Sequence, residues 1–147
     1  MPYATTDDGV KLYYEEVGSG APIVFVHEFA DDLHAWKPQL RHFSRRYRCI
    51  AFNARGYPPS EVPARLSNYS HKHAVDDVAV LMRHLKIRRA HIMGCSMGSR
   101  TTLDFGLTYP RMAISLTMIG IGSGGSVMHS SPMTIDLGSL NSEIGRA

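Results

Sequence analysis

The residues most able to do chemistry in this chain are a serine and the two glycines around it. Residues 94–98 read Gly-Cys-Ser-Met-Gly, a G-x-S-x-G pentapeptide with Ser96 at its centre. This spacing is typical of a sharp turn that exposes a serine hydroxyl as a nucleophile. A serine hydroxyl is weakly reactive alone, because it needs a base to accept its proton and a third group to orient that base. We therefore ask which strands and helices position Ser96, and which residues could serve as its base and as the group that orients the base.

The segments on either side of the pentapeptide fit such a turn. The apolar run 89–95 is typical of a strand buried on both faces, and the pattern at 97–109 predicts a helix that ends before Pro110. Small residues at Gly94 and Gly98 would let the two backbones approach each other. Free N–H groups at the helix start would favour a developing oxyanion. The alternative is a chance match in a glycine-containing turn that has no catalytic role.

The rest of the chain alternates between strand and helix patterns. Further strands are expected at 10–17, 22–27, 48–53 and 114–120, and further helices within 31–47 and 70–87. This alternation predicts an α/β fold with a mainly parallel sheet. We assign 1–120 to this core and 121–147 to a Gly- and Ser-rich tail, which we expect to be loop or disordered.

Two helices carry further local signals. An apolar stripe and an acidic start indicate the helix within 31–47, and Ser70 is the expected N-cap of the next helix. The stripe consists of Trp36, Leu40, Phe43 and Tyr47, and Asp31 or Asp32 is the candidate cap. Pro38 would have to lie in the first turn of its helix or break it.

Three segments together resemble the α/β-hydrolase family. The stretch 23–36, IVFVHEFADDLHAW, resembles the family's strand that ends in His-Gly before the oxyanion loop. The stretch 53–60, NARGYPPS, is similar to the family's Asp-x-Arg-Gly-x-Gly-x-Ser segment. Residues 75–120 follow the family's helix, nucleophile strand, helix and next strand without a gap. The resemblance covers about residues 8–120 and implies a sheet of the α/β-hydrolase type, truncated after the nucleophile turn and one further strand.

The resemblance implies a role for each residue around the turn. Ser96 would be the nucleophile, and Gly94 and Gly98 would be the small residues of the turn. The backbone N–H groups of Phe29 and Met97 would form the oxyanion hole.

The chain also departs from the family pattern. His27 would be a structural residue at its strand end rather than the base, but Glu28 replaces the glycine that usually follows. Its charge would either point outward or weaken the oxyanion hole. Asn53 replaces an acid and Pro58 replaces a glycine. The matching positions of that segment are Arg55, Gly56 and Ser60.

The base and the acid are not evident. The family order is serine, acid, histidine, and after Ser96 the acids are Asp104, Asp136 and Glu143, with His129 as the only histidine. Asp104 falls within the helix after the nucleophile, and Asp136 follows His129 and so breaks the order. His129 is a weak candidate base. We therefore expect this chain to correspond to the family's N-terminal half, without the triad acid and base.

The resemblance implies hydrolysis of a small ester, amide, epoxide or related bond, most simply through an acyl-enzyme on Ser96. It implies a small-molecule substrate and no metal or organic cofactor. The alternative is a catalytically incomplete fragment that acts as a binding or oligomerising module, or has no function. If 114–120 is the edge of the sheet, its apolar strand invites pairing with another chain, which predicts self-association.

Other motifs favour weaker alternatives. Residues 120–125 spell G-x-G-x-x-G after a strand, but a dinucleotide site also needs a helix at once and an acid about 20 residues on. His71 and His73 could bind a metal, yet no acid or cysteine set accompanies them. Cys95 could be a thiol nucleophile, although its place in a strand favours packing.

Composition excludes several classes of function. The 147 residues carry a formal charge of +3, which is too mild to indicate nucleic acid. We find no signal peptide and no run of about 18 apolar residues, so we expect no membrane span. Cys49 and Cys95 are expected to be buried free thiols, which favours a cytoplasmic location. One local cluster of basic residues comprises Arg41, Arg45, Arg46 and Arg48. We interpret it as a solvated helix face, and the alternative is a binding surface for an anionic partner.

Overall fold

A computed structural model describes residues 2–120 and 133–136 of the chain. Within these residues, one seven-stranded sheet carries three α-helices. The strands are β1 (Tyr3–Thr5), β2 (Lys11–Val17), β3 (Ala21–Val26), β4 (Tyr47–Phe52), β5 (Ala90–Cys95), β6 (Ala113–Ile119) and β7 (Met133–Asp136). The helices are α1 (Lys37–Phe43), α2 (His71–His84) and α3 (Met97–Thr108).

The strand order is β1-β2-β4-β3-β5-β6-β7. The four central strands are parallel, whereas β1, β2 and β7 join by antiparallel pairing. The predicted α/β fold with a mainly parallel centre is therefore confirmed. Because parallel strands end at the same edge of the sheet, the loops after β3, β4 and β5 meet there.

The two faces of the sheet bury separate apolar clusters. Along β3, alternate side chains point to opposite faces. Val24 and Val26 pack with α2 and α3, while Ile23 and Phe25 pack under α1 with Trp36. Because helices cover both faces of the sheet, β3 is buried on both sides, and this explains its continuous apolar run.

The first predicted helix is shorter than expected. A 3-10 turn at Leu33–Trp36 precedes α1, and the Asp32 carboxylate caps this turn by accepting from the His34 N–H. Pro38 lies in the first turn of α1, where backbone N–H groups have no acceptor within the helix. The missing N–H of proline therefore costs no helical hydrogen bond there. Tyr47 lies in β4 rather than on the helical stripe. By contrast, Ser70 caps α2 as predicted, since its hydroxyl accepts from the His73 N–H.

The tail corrects two expectations. Residues Met133–Asp136 form β7, so this part of 121–147 is a strand and not a loop. β7 pairs with β6 from Ser115 to Met118, and β6 is therefore not the edge of the sheet as the sequence led us to expect. The other residues of the tail lie outside the described part of the chain, including those of the glycine motif after Gly120.

Two side-chain expectations also change. Both cysteines are free, but only Cys49 is buried, whereas Cys95 is half-buried. Arg48 is not part of a helix face: it lies in β4, and its Nε donates to Glu16 of β2 over 2.6 Å. Among the described residues, no helix is long and apolar enough to cross a membrane.

Candidate active site

Ser96 lies at the sharp reversal between β5 and α3. Its backbone has φ 52° and ψ −111°, a conformation that residues with a side chain rarely adopt. Its N–H donates to the Ile119 carbonyl over 2.8 Å, which ties the turn to β6. The side chain is exposed and makes no capping bond to α3. The turn thus presents the hydroxyl to solvent at the positive end of a helix.

Close backbone contacts explain the glycines of the turn. A Cβ on Gly98 would lie 2.2 Å from the carbonyl oxygen of Val26, at the end of β3. A Cβ on Gly94 would lie 2.2 Å from the Gly98 carbonyl oxygen. Neither contact can be relieved by turning a side chain, because both involve the main chain. Only glycine lets α3 begin this close to the sheet.

A second serine holds the turn from inside. The fully buried Ser99 hydroxyl lies 3.0 Å from the Gly94 carbonyl oxygen and 2.8 Å from that of Ile119, and it accepts from the Ile119 N–H over 3.0 Å. Ser99 therefore connects β5, α3 and β6. No local sequence pattern marks Ser99, because its role depends on a residue 20 positions further along the chain.

The two expected oxyanion donors, Phe29 and Met97, line one large cavity. Met97 is the first residue of α3, so its N–H has no partner within the helix. The loop that carries Phe29 is held by the Tyr57 hydroxyl, which donates to the Phe29 carbonyl over 2.8 Å. The Phe29 side chain is 73% exposed. Both expected donors therefore lie on the same cavity.

His27 is engaged at both ring nitrogens. Its Nε2 accepts from the Ala54 N–H over 3.0 Å, so the proton lies on Nδ1, which donates to the Glu28 carbonyl over 2.7 Å. Burial lowers the pKa of His27, although the bond to Glu28 opposes this. The neutral ring therefore joins the loops after β3 and β4, and neither nitrogen is available as a base.

Glu28 does not line the large cavity. Its carboxylate lies 3.9 Å from the Cys95 sulfur, and both residues line a separate cavity of about 230 Å³ beside Trp36. Burial, reinforced by the Glu28 charge, raises the pKa of the Cys95 thiol. The half-buried Glu28 side chain therefore points into this smaller cavity rather than outward, and its effect on the oxyanion hole stays a prediction. A raised pKa also disfavours Cys95 as a thiolate nucleophile.

A buried arginine fixes the loop after β4. Arg55, which is 6% exposed, makes paired hydrogen bonds with Asp77 of α2 (both 2.8 Å) and with Asp8 of the β1–β2 turn (2.8 and 3.0 Å). The bonds to Arg55 hold the pKa of Asp8 well below its ordinary value. The sequence marked Arg55 through the family pattern but gave no sign of Asp8, which lies 47 residues away.

In the segment 53–60, Asn53 is an uncharged residue at the position where the resemblance implies an acid. It is fully buried, its Oδ1 accepts from the Leu33 N–H over 2.8 Å, and its Nδ2 donates to the Pro58 carbonyl over 3.0 Å. Because one of these bonds needs a donor, an amide satisfies this position where a carboxylate would not. Ser60 adds a hydroxyl that donates to the Asn53 carbonyl over 2.6 Å.

The large cavity has a volume of about 740 Å³, within the range of small-molecule sites. Mostly apolar and aromatic side chains line it, from the strand ends, the loop 54–62, the start of α2 and the first turns of α3. Arg55 and Asp77 also line it, and their charges are already paired with each other. The cavity can thus accept an apolar molecule next to the Ser96 turn.

No hydrogen bond joins the Ser96 hydroxyl to a histidine within the described ranges 2–120 and 133–136. Asp104 lies on α3, where it contacts Arg100 and His71 instead. His129 and Glu143 lie outside the described residues. Asp136 ends β7, where its backbone pairs opposite Ser115.

The two histidines at the start of α2 do not converge on a common site. His71 contacts Asp104, while His73 contacts Ser70 through Nδ1 and approaches Asp8 at 3.7 Å. Within the part of the chain that the structure describes, no group of three or more histidine, cysteine or acidic side chains is placed to hold a metal.

Comparisons with known proteins support the fold. A family model described as alpha/beta hydrolase fold matches residues 21–139. An epoxide hydrolase of Caballeronia sordidicola is 33% identical over 109 residues, covering 74% of this chain and 33% of that protein. The solved structure of Est816, described as an N-acyl homoserine lactone degrading enzyme, is 35% identical with a TM-score of 0.76, covering 84% of this chain and 46% of its own.

An esterase from Exiguobacterium antarcticum also superposes, with 27% identity and a TM-score of 0.76, covering 82% of this chain and 45% of its own. The chain spans between 26% and 33% of the length of the first curated relatives it matches.

Proposed function

Because this chain belongs to the α/β-hydrolase fold family, we propose that it carries the nucleophile and oxyanion side of a hydrolase that cleaves a small ester or related carbonyl bond. The observation that carries the proposal is the Ser96 turn. A serine with positive φ, flanked by two glycines that no larger residue could replace, is held in a strained conformation costing about 1–3 kcal/mol. Such strain is common where a side chain must be aimed at a substrate.

The nucleophile's chemistry favours a carbonyl substrate over an epoxide. A serine oxygen that attacks an ester carbonyl forms an acyl-enzyme ester, which water can hydrolyse. The same oxygen opening an epoxide would form an ether, which water does not readily cleave. Although relatives named epoxide hydrolases match this chain, a serine at position 96 therefore supports the reaction suggested by the names of the esterase and the lactone-degrading enzyme.

The N–H groups of Met97 and Phe29 would bind the oxygen of the tetrahedral intermediate. The Met97 N–H is free of helical bonding, and the positive end of α3 favours negative charge beside Ser96. Glu28 faces Cys95 and the smaller cavity, so its carboxylate does not line the cavity that would hold the substrate.

A second candidate is a binding module that does not turn over substrate. The observation that favours it is the absence, within 2–120 and 133–136, of a histidine bonded to the Ser96 hydroxyl. Loss of triad partners lowers turnover by a factor on the order of 10⁴ to 10⁶. Measurable ester hydrolysis that requires Ser96 would exclude this second candidate.

Covalent labelling tests the nucleophile directly. We expect a fluorophosphonate probe to label the wild-type chain slowly at one site, and Ser96→Ala to abolish the labelling. Ser70→Ala is the matched control, because Ser70 also precedes a helix and lines the same cavity but has extended backbone. Circular dichroism verifies that each variant folds. Equal labelling of wild type and Ser96→Ala would reject Ser96 as the nucleophile.

A further inference from the structure

A histidine and a carboxylate form a pair beside the large cavity. His71, the first residue of α2, lines the cavity, and its Nε2 is hydrogen-bonded to Oδ2 of Asp104 on α3. Arg100 donates to the same oxygen over 2.9 Å, so the carboxylate charge is balanced locally. A carboxylate only accepts, and the shared proton therefore lies on Nε2 of His71.

This leaves Nδ1 of His71 as a hydrogen-bonding atom without a partner among the described residues. Other polar groups on the cavity wall are already engaged. Arg55 is bound by two carboxylates, both nitrogens of His27 are bonded, and the Tyr57 hydroxyl donates to Phe29. A neutral His71 ring thus offers an acceptor on a wall that is otherwise apolar or satisfied.

Among the described residues, no hydrogen bond joins His71 or Asp104 to Ser96, so the structure gives the pair no contact through which to act as the base of Ser96. Asp104 follows Ser96 by eight residues, so its backbone lies about 12 Å further along α3 at 1.5 Å per residue. Direct proton transfer needs a separation of about 3 Å.

We propose that His71, positioned by Asp104, is a specificity-determining residue that accepts a hydrogen bond from a hydroxyl or amide N–H group of an otherwise apolar substrate bound in the large cavity. This inference rests on the proposed function, because it takes the large cavity as the substrate site. Asp104 acts through His71 by holding the ring and keeping the proton on Nε2.

A matched pair of probes tests the acceptor without requiring turnover. Titrations of the full chain with 4-phenylbutan-1-ol and with its methyl ether, followed by NMR at pH 8, compare two molecules that differ only in a donor hydrogen and a methyl group. We expect the alcohol to bind about three- to tenfold more tightly, the contribution of one neutral hydrogen bond.

Three variants assign this preference to His71. His71→Phe keeps a ring on the cavity wall but removes both nitrogens, so the two probes should bind equally. His71→Asn retains an acceptor near the position of Nδ1 and should restore part of the preference. His42→Phe, at an exposed histidine on α1 away from the cavity, should leave it unchanged.

The possible outcomes separate the two proposals. Equal binding of both probes by the wild type, binding of neither, or an unchanged preference in His71→Phe overturns the role of His71. If the alcohol preference depends on His71 but Ser96 is not labelled by fluorophosphonate, the acceptor is supported and the proposed nucleophile is rejected.

Discussion

At the scale of single residues, the strained Ser96 backbone is stabilised by contacts that are remote in sequence. Its N–H reaches the Ile119 carbonyl, and the buried Ser99 hydroxyl bonds both to Ile119 and to the carbonyl of Gly94. The pentapeptide predicted a turn and an exposed hydroxyl. The anchors could not be predicted, because they depend on how β6 is aligned beside β5.

Glu28 provides a test at this scale. Because burial and the Glu28 carboxylate together raise the pKa of Cys95, Glu28→Gln should lower that pKa and make the thiol react faster. In a Cys49→Ser background, where Cys95 is the only thiol, we expect alkylation by iodoacetamide at pH 8 to accelerate roughly twofold or more. Glu61→Gln, a surface change remote from Cys95, is the control. An unchanged rate in Glu28→Gln would contradict the contact between the two side chains.

At the scale of elements, the start of α3 against β3 determines where the nucleophile lies. Gly98→Ala would place a methyl group against the Val26 carbonyl, so we expect the free energy of unfolding to fall by at least about 3 kcal/mol. In Gly106→Ala, on the same helix, the added methyl group meets only the Leu116 side chain, and alanine favours the helix more than glycine does. We therefore expect the free energy of unfolding to fall by only about 1–2 kcal/mol. Urea unfolding compares the two, and an equal cost would contradict the close packing of α3 on β3.

The Arg55 network joins a hairpin, a loop and α2, and it should be sensitive to loss of the arginine. Arg55→Leu leaves the buried Asp77 carboxylate without its partner, and we expect a loss of about 3–5 kcal/mol in the free energy of unfolding. Arg55→Lys should retain only part of this stability, because an ammonium group cannot make the paired hydrogen bonds of a guanidinium. A nearly wild-type stability for Arg55→Leu, measured by urea unfolding, would show that the network contributes little.

The same network predicts an acid dependence. Because Arg55 keeps the pKa of Asp8 below its ordinary value of 3.8, the unfolded chain binds a proton first as the pH falls. The stabilisation by Asp8 is therefore complete above that value and is lost progressively below it. Urea unfolding from about pH 5 to about pH 2 should show a steeper loss of stability for the wild type than for Asp8→Asn. Parallel curves would contradict the lowered pKa.

At the scale of the whole molecule, the sheet formed by the described residues has a short strand at each edge, β1 and β7. β7 covers β6 from Ser115 to Met118, and the Thr134 and Thr117 hydroxyls lie 3.0 Å apart across this pair. Self-association through the apolar edge of β6 stays a prediction, but it now requires β7 to be displaced.

Disrupting β7 tests this edge. Thr134→Pro removes a backbone N–H and restrains φ, which disfavours pairing in a strand, so β6 should become exposed and the chain should self-associate more strongly. Thr134→Val keeps a residue that favours strands and serves as the control. Sedimentation velocity at tens of micromolar compares the variants with the wild type. A proline variant as monomeric as the wild type would argue against association through β6.

The sequence by itself determined the alternation of strands and helices, the Ser70 cap, and the serine turn with its glycines, because these depend on local periodicity and on residue types with special backbone preferences. Only the tertiary structure decided that β7 covers β6, that Asp8 shares Arg55 with Asp77, that Glu28 faces Cys95, and that His71 and Asp104 meet beside the cavity. Each of these joins residues distant in the chain. Their proximity is set by the strand order and by the packing of helices on the sheet, which no local pattern encodes.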